Sequence, residues 1–112
     1  MSKDSIKPLL ITSVDSSTLG LGAYSVINAD GLDGPCFMIR ITNASSAPII
    51  ISYDGLVDHD VLVDDDVLQL DFQTNSRPGN KVAQMAKGTK IYVRGAAGQG
   101  FIYLSGWYQE SI

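Results

Sequence analysis

Apolar and polar residues alternate with a period of two in several segments of this chain, and no segment sustains a helical period beyond a single turn. Cys36–Thr42 is the clearest case, with Phe37, Ile39 and Ile41 on one side and Cys36, Met38, Arg40 and Thr42 on the other. Val67–Gln73 repeats the pattern: Leu68, Leu70 and Phe72 oppose Gln69, Asp71 and Gln73, as in a half-buried antiparallel strand. Pro48–Tyr53 holds Ile49, Ile50 and Ile51 in a row, which suits a strand packed in a sandwich core or covered on both faces. Ala23–Ala29 and Asp58–Val63 add two further strands. Ser5–Val14, broken at Pro8, reads as an arm or edge strand, because proline cannot donate to a central ladder.

The stretch Gly88–Tyr108 organises this pattern. Its runs Lys90–Arg94 and Phe101–Tyr108 flank a glycine-rich Gly95–Gly100 segment, which reads as the loop of a hairpin. On a regular pleat Phe101, Tyr103, Ser105 and Trp107 share one face, and Ile102, Leu104, Gly106 and Tyr108 the other. Both faces are largely apolar. The strand is therefore expected to face the core on one side and a partner subunit on the other, and Gly106 to mark a bulge or a close backbone approach. Turn formers separate the runs: Asp15–Gly22, Asp30–Pro35, Asn43–Ala47, Asp54-Gly55, Thr74–Asn80 and Lys87-Gly88. Lys81–Ala86 fits either a strand or a single helical turn.

About eight short strands joined by short loops predict an all-β antiparallel sandwich, jelly-roll or immunoglobulin-like, with a flexible N-terminal arm. Residues 1–14 are the arm or edge strand, and 15–112 a single sandwich domain. No repeat of fixed period indicates a solenoid or propeller. The only cysteine, Cys36, excludes an intramolecular disulfide, and nothing matches a zinc spacing. Cys36 is expected to be a buried small apolar residue. The apolar run Pro8–Ile11 is too short for a signal peptide or a membrane span, which points to synthesis in a cytoplasm without export.

Charge adds an asymmetry. Residues 1–72 carry eleven acids and three bases, whereas residues 73–112 carry one acid, Glu110, and five bases. A net charge of −4 argues against general nucleic-acid binding. The split is either internal complementarity or a means for one subunit's acidic surface to meet the next one's basic surface.

Four constellations invite chemistry. Asp58, Asp60, Asp64, Asp65 and Asp66 form an acidic segment in which hard cations such as calcium find oxygen ligands. The spacing matches no EF-hand loop, and a solvated acidic edge that discourages strand pairing is the competing reading. His59 lies among these acids, but no nucleophile-elbow context surrounds nearby Ser52, so no catalytic set is expected and the chain is read as non-enzymatic. The glycines at 95, 98 and 100 lack the following helix that a phosphate loop requires. The aromatics remain. Tyr92, Arg94, Phe101, Tyr103, Trp107 and Tyr108 are expected to supply an interface, and Tyr92, Tyr103, Trp107 and Tyr108 alternatively a stacking platform for sugars or bases.

The run IRITNASSAPIIISYDG (Ile39–Gly55), with DHDVLV, LQLDFQ, GTKIYV and GFIYLSGWY after it, resembles small β-rich structural proteins of tailed bacteriophage virions. The likeness covers about the last two thirds of the chain and rests on general pattern, with no catalytic motif. It implies a capsid-decorating or head-to-tail neck component present in many copies. Such a protein would be made in the host cytoplasm and reside in the virion. Its partners would be copies of itself and other virion proteins, such as major capsid or neck proteins, with no cofactor, nucleic acid or membrane. A carbohydrate-binding or host-attachment module using the C-terminal aromatics is the alternative, and an enzyme built on His59 the remaining one.

Overall fold

A computed structural model describes residues 4–71 and 85–111. Among these residues are nine strands: β1 (Asp4–Pro8), β2 (Thr12–Asp15), β3 (Ser25–Val26), β4 (Cys36–Ser45), β5 (Ile49–Ser52), β6 (Asp60–Leu62), β7 (Asp66–Asp71), β8 (Tyr92–Arg94) and β9 (Gly100–Ser111). A short 3-10 turn, Ser16–Thr18, is capped by Asp15, whose carboxylate accepts the Ser17 N–H at 2.9 Å. All strand pairings are antiparallel.

Sheet A has the order β1-β9-β4-β7, with β2 continuing the β1 edge of β9; sheet B has the order β3-β8-β5-β6. The chain is a β-sandwich, as the alternation predicted. Ile39, Ile41, Ile102 and Leu104 of sheet A face Ile49, Ile51, Leu62 and Val93 of sheet B, all nearly inaccessible to solvent. Removing this aliphatic surface from water is the main force closing the sandwich. Of the isoleucine run, Ile49 and Ile51 point into the core, while Ile50 lies half-exposed on the outer side of sheet B.

The glycine-rich segment does not close a hairpin. β8 pairs with β3 and β5 in sheet B, whereas β9 pairs with β4, β1 and β2 in sheet A, so residues 95–99 cross the end of the sandwich. Close approach explains the glycines there. A Cβ on Gly95 would stand 2.8 Å from the Pro48 carbonyl oxygen, and Gly100, at φ +107°, lies against the Ala44 carbonyl.

Two other expectations are modified. In place of a strand over Ala23–Ala29, only Ser25–Val26 pair regularly, because the Asn28 amide then takes over the ladder. Its Oδ1 accepts the Ile91 N–H at 2.7 Å and its Nδ2 donates to the Thr89 carbonyl at 3.0 Å. In β4 a bulge between Cys36 and Met38 rephases the strand, bringing Cys36 onto the buried side with Ile39 and Ile41. The bulge lies opposite the Trp107–Tyr108 step of β9, next to Gly106, whose absent Cβ would stand 2.5 Å from the Met38 carbonyl oxygen. Of the two features anticipated for Gly106 the close backbone approach is present there, and the bulge lies on the neighbouring strand β4.

The N-terminal segment takes the edge-strand alternative: Pro8 ends β1 opposite Trp107, and Leu9 donates its N–H to the Gly106 carbonyl at 2.9 Å. Phe72, Thr74–Asn80 and the first part of Lys81–Ala86 lie outside the described residues. Met85 bridges to Cys36.

Candidate interaction surface

The outer face of sheet A is built from the alternate residues of β9 and their neighbours in register. Phe101 lies opposite Ala44 and Asp15, Tyr103 opposite Thr42 and Ser13, and Trp107 opposite Met38 and Pro8. Phe101 is 42% and Trp107 40% exposed, and Tyr103 is half-buried between their ends of the strand. The Phe101 and Tyr103 rings tilt against each other with centroids 6.2 Å apart. Val67 of β7 extends this apolar surface beyond Thr42, and Arg40, exposed opposite Ser105 and Gln69, supplies a cation within it. Large aromatic area, few charges and an adjacent arginine are the composition of protein interface cores.

The six residues expected to form one interface are divided between the two sheets. Phe101, Tyr103 and Trp107 share the outer face of sheet A. Tyr108 belongs to the opposite side of β9, where its ring lies over Gly34 and packs on the core. Tyr92 and Arg94 are on β8, on the outer side of sheet B, and are occupied within the chain. Tyr92 meets Tyr24 edge-on at 6.4 Å, and a Cβ on Gly55 would touch its ring at 3.1 Å.

Arg94 binds the Asp58 carboxylate through two nitrogens and donates to the Leu21 carbonyl at 2.7 Å. Its guanidinium lies 5.9 Å from the centre of the Tyr24 ring. The Tyr24 hydroxyl also donates to Asp58. Hydrogen bonds from Arg94, then from Tyr24, hold the Asp58 carboxyl down at about 2. The same contact with Asp58 raises the Arg94 pKa. The division of the expected interface arises because β8 and β9 lie in different sheets, where the hairpin reading had placed both strands in one.

The acidic segment is likewise dispersed. Asp58 is committed to Arg94, and Asp60 accepts from the Tyr53 hydroxyl at 2.6 Å. Asp66 accepts the Val67 N–H at 2.8 Å, and Asp64 and Asp65 form an exposed turn with Asp65 at φ +56°. Among the described residues no three acidic, histidine or cysteine side chains converge on a common point, so this placement does not assemble the calcium ligand set considered from sequence.

His59 has a defined but local setting. Its Nδ1 accepts the Tyr53 N–H at 3.0 Å, its ring stacks on Tyr53 at 5.4 Å, and Nε2 lies 3.9 Å from the Asp54 carboxylate. Ser52 is buried; its Oγ donates to Asp54 at 3.0 Å and accepts the Gly55 N–H at 2.9 Å. Asp54 in turn accepts the Leu56 and Val57 N–H groups, which lower its pKa. Ser52, Asp54 and His59 therefore shape the turn after β5, with the serine hydroxyl directed to Asp54 and not to the imidazole. Burial, reinforced by the bond to Asp60, raises the Tyr53 phenol pKa.

One surface escaped the sequence reading. Leu21, Pro48, Ile50, Val61, Gly95 and Ala96 line an almost wholly apolar concavity of about 240 Å³ on the outer side of sheet B. Its signal was the middle residue of the isoleucine run, which alternation directs away from the core.

No family model matches the chain, and no curated protein matches it. Solved structures similar to it include PirA, at 17% identity over 97% of this chain and 93% of that one, with a TM-score of 0.38. A Bacillus endospore appendage protein, from a family of disulfide-linked pili, is 13% identical over 95% and 89%, with a TM-score of 0.46. The SPBc2 prophage-derived protein YomS is 8% identical over 98% and 96%, with a TM-score of 0.33. At these values the likeness carries nothing about what this chain binds. No helix among the described residues is long and apolar enough to cross a membrane.

Proposed function

We propose that this chain is a non-enzymatic structural protein of a tailed-phage virion, which assembles as a homo-oligomer and adheres to other virion proteins. The observation that carries the adhesive part is the Phe101–Tyr103–Trp107 column on the outer face of sheet A, with Met38, Val67 and Arg40 around it. Burying such a face against a second copy excludes water from its aromatic centre, where most interface energy resides. The virion assignment rests on the sequence resemblance, and with it the capsid-decorating or neck position and synthesis in the host cytoplasm. The strand order supports the jelly-roll alternative for the sandwich: apart from β1/β2 and β5/β6, each strand crosses to the other sheet from its predecessor.

Light scattering on a size-exclusion column tests the reading. The wild-type chain is expected at a defined multiple of its 12.0 kDa mass, and Trp107→Asp or Tyr103→Asp at a lower one with an unchanged circular dichroism spectrum. Unchanged mass in both variants overturns the role of this face.

The exposure of Trp107 and Phe101 also favours a second reading, a carbohydrate-binding module in which sugars stack on these rings. Glycan binding lost in Trp107→Ala, with oligomer mass retained, would select it.

A further inference from the structure

We propose that two copies of the chain pair face to face about a two-fold axis that crosses sheet A at Tyr103. Phe101 of each copy then seats over Ser105 of the other, and Arg40 of each meets the Asp64–Asp65 turn of the other. The inference rests on the reading of this face as self-adhesive, and gives it one partner and one orientation.

Shape places the axis. From Phe101 to Trp107 the outward residues of β9 are Phe101, Tyr103, Ser105 and Trp107, so the one short side chain leaves a notch between two aromatic rings. Phe101, 42% exposed, stands two residues before Tyr103, and the notch two residues after it. Turning a second copy end for end about Tyr103 therefore puts each Phe101 ring into the other copy's notch. Stacking the copies with their strands running the same way would set Phe101 on Phe101 and leave both notches empty.

Charge places the same axis independently. Arg40 is exposed on β4, in register with Ser105 on one side and Gln69 on the other. Asp66 pairs with Asn43, so the exposed Asp64–Asp65 turn before it lies beside Ala44, at the Phe101 end of the face. Thr42, which pairs with Tyr103, is midway between Arg40 and Ala44. The end-for-end turn thus carries the acidic turn of one copy to Arg40 and Gln69 of the other, displaced from Ala44 by one strand spacing of about 4.8 Å. Packed sheets stand about 10 Å apart, a gap that arginine and aspartate side chains close together. Among the described residues neither Arg40 nor Asp64 nor Asp65 has an ion pair. The other acids on this side are engaged: Asp15 holds Ser17, Asp66 holds the Val67 N–H, and Asp71 makes a contact within its own chain. A guanidinium covered at the middle of an aromatic face requires a carboxylate, and a second copy supplies it twice over. The contact is isologous, so the copy number is even.

Charge reversal with mixing tests this, read by light scattering on a size-exclusion column. One variant is Arg40→Glu. The other combines Asp64→Lys with Asp65→Asn, since asparagine tolerates the φ of +56° at that position. Each sets like charges together at two symmetric places and is expected to raise the dissociation constant of the contact about a hundredfold or more. A one-to-one mixture is expected to restore association, because opposite charges then face each other at both places. Phe101→Ser and Ser105→Phe form a second pair with the same expected pattern, should circular dichroism show a charge variant unfolded. A monomeric or odd-numbered wild type, single variants that associate like the wild type, or a mixture that stays apart each overturns the proposal. Failure of the aromatic-face reading is separate: it leaves the mass unchanged in Tyr103→Asp and Trp107→Asp, whereas a wrong orientation leaves those two dissociated and the charge variants associated.

Discussion

Arg94 meets Asp58 side-on, with Nη2 2.6 Å from Oδ2 and Nε 3.0 Å from Oδ1, while its Nη1 holds the Leu21 carbonyl. One guanidinium thereby ties two loops to β8, the one before β3 and the one between β5 and β6. Replacing either partner releases the same loop. Asp58→Asn and Arg94→Ala are each expected to accelerate limited proteolysis between residues 54 and 59, the double variant no more than either single. Arg94→Lys is not expected to restore protection, because an ammonium cannot reproduce the two-point contact.

The same pair sets an acid limit. The Asp58 pKa falls from 3.8 to about 2 on folding, so the unfolded chain takes up this proton first as pH drops. The contribution of Asp58 to stability is therefore complete above about pH 4 and is lost as pH falls toward about 2. Urea midpoints of the wild type and Asp58→Asn are expected to differ at neutral pH and to converge over this interval. A constant difference across it would assign the effect to packing and not to charge.

Asn43 stitches the two sheets together. From β4, fully buried, its Nδ2 donates to the carbonyls of Ala47, Leu62 and Val63 at 3.0, 3.2 and 3.1 Å, and its Oδ1 accepts from the Ser45 N–H and hydroxyl. Asn43→Ala takes a buried partner from the Ser45 N–H and from the Leu62 and Val63 carbonyls, while the Ala47 carbonyl keeps the Ser45 hydroxyl at 3.0 Å, and is expected to cost about 3 kcal/mol, at the upper end of the range for an unsatisfied buried group. Equilibrium urea unfolding measures it. A loss under about 1 kcal/mol would mean that water enters and replaces the amide.

Gly106 permits the closest approach of β9 to β4. A Cβ there would stand 2.5 Å from the Met38 carbonyl oxygen and 3.0 Å from the Ile39 Cα, both backbone atoms fixed by the ladder. Gly106→Ala is expected to lose about 1–3 kcal/mol through forced strand separation. Gly20→Ala, where nothing lies within 4 Å, is the control and is expected to stay within about 0.5 kcal/mol of wild type.

Cys36 is buried, and burial, with a smaller contribution from Asp33, pushes its thiol up to about 11. Alkylation of the native protein at pH 8 is expected to run roughly a hundredfold or more slower than in urea, since both thiolate fraction and access are reduced. Native labelling at the unfolded rate would place Cys36 at an accessible site.

Much of this architecture was legible in local pattern. Period-two alternation located β4 and β7, because a strand with one buried face must place every second side chain in the core, and unbroken runs of β-formers located β5 and β9. The same rule separated Ile102 and Leu104 from Phe101, Tyr103 and Trp107. Gly106 was marked by being a glycine in the interior of a strand rich in bulky residues. The Asp54-Gly55 turn was marked by Asp accepting local N–H groups and by Gly55 adopting φ +76°.

What the sequence by itself determined was which residues form strands and which side of each strand is apolar, since both follow from interactions within a few residues. Which strands pair was decided by tertiary structure. A glycine-rich link between two β-runs serves a hairpin or a crossing between sheets equally well, and only the partners of β8 and β9 distinguish them. That choice separated Tyr92 and Arg94 from the aromatic face, bound Arg94 to an aspartate thirty-six positions away, and formed the apolar concavity at Ile50. Packing between segments distant in sequence fixes such relations, and no local pattern encodes them.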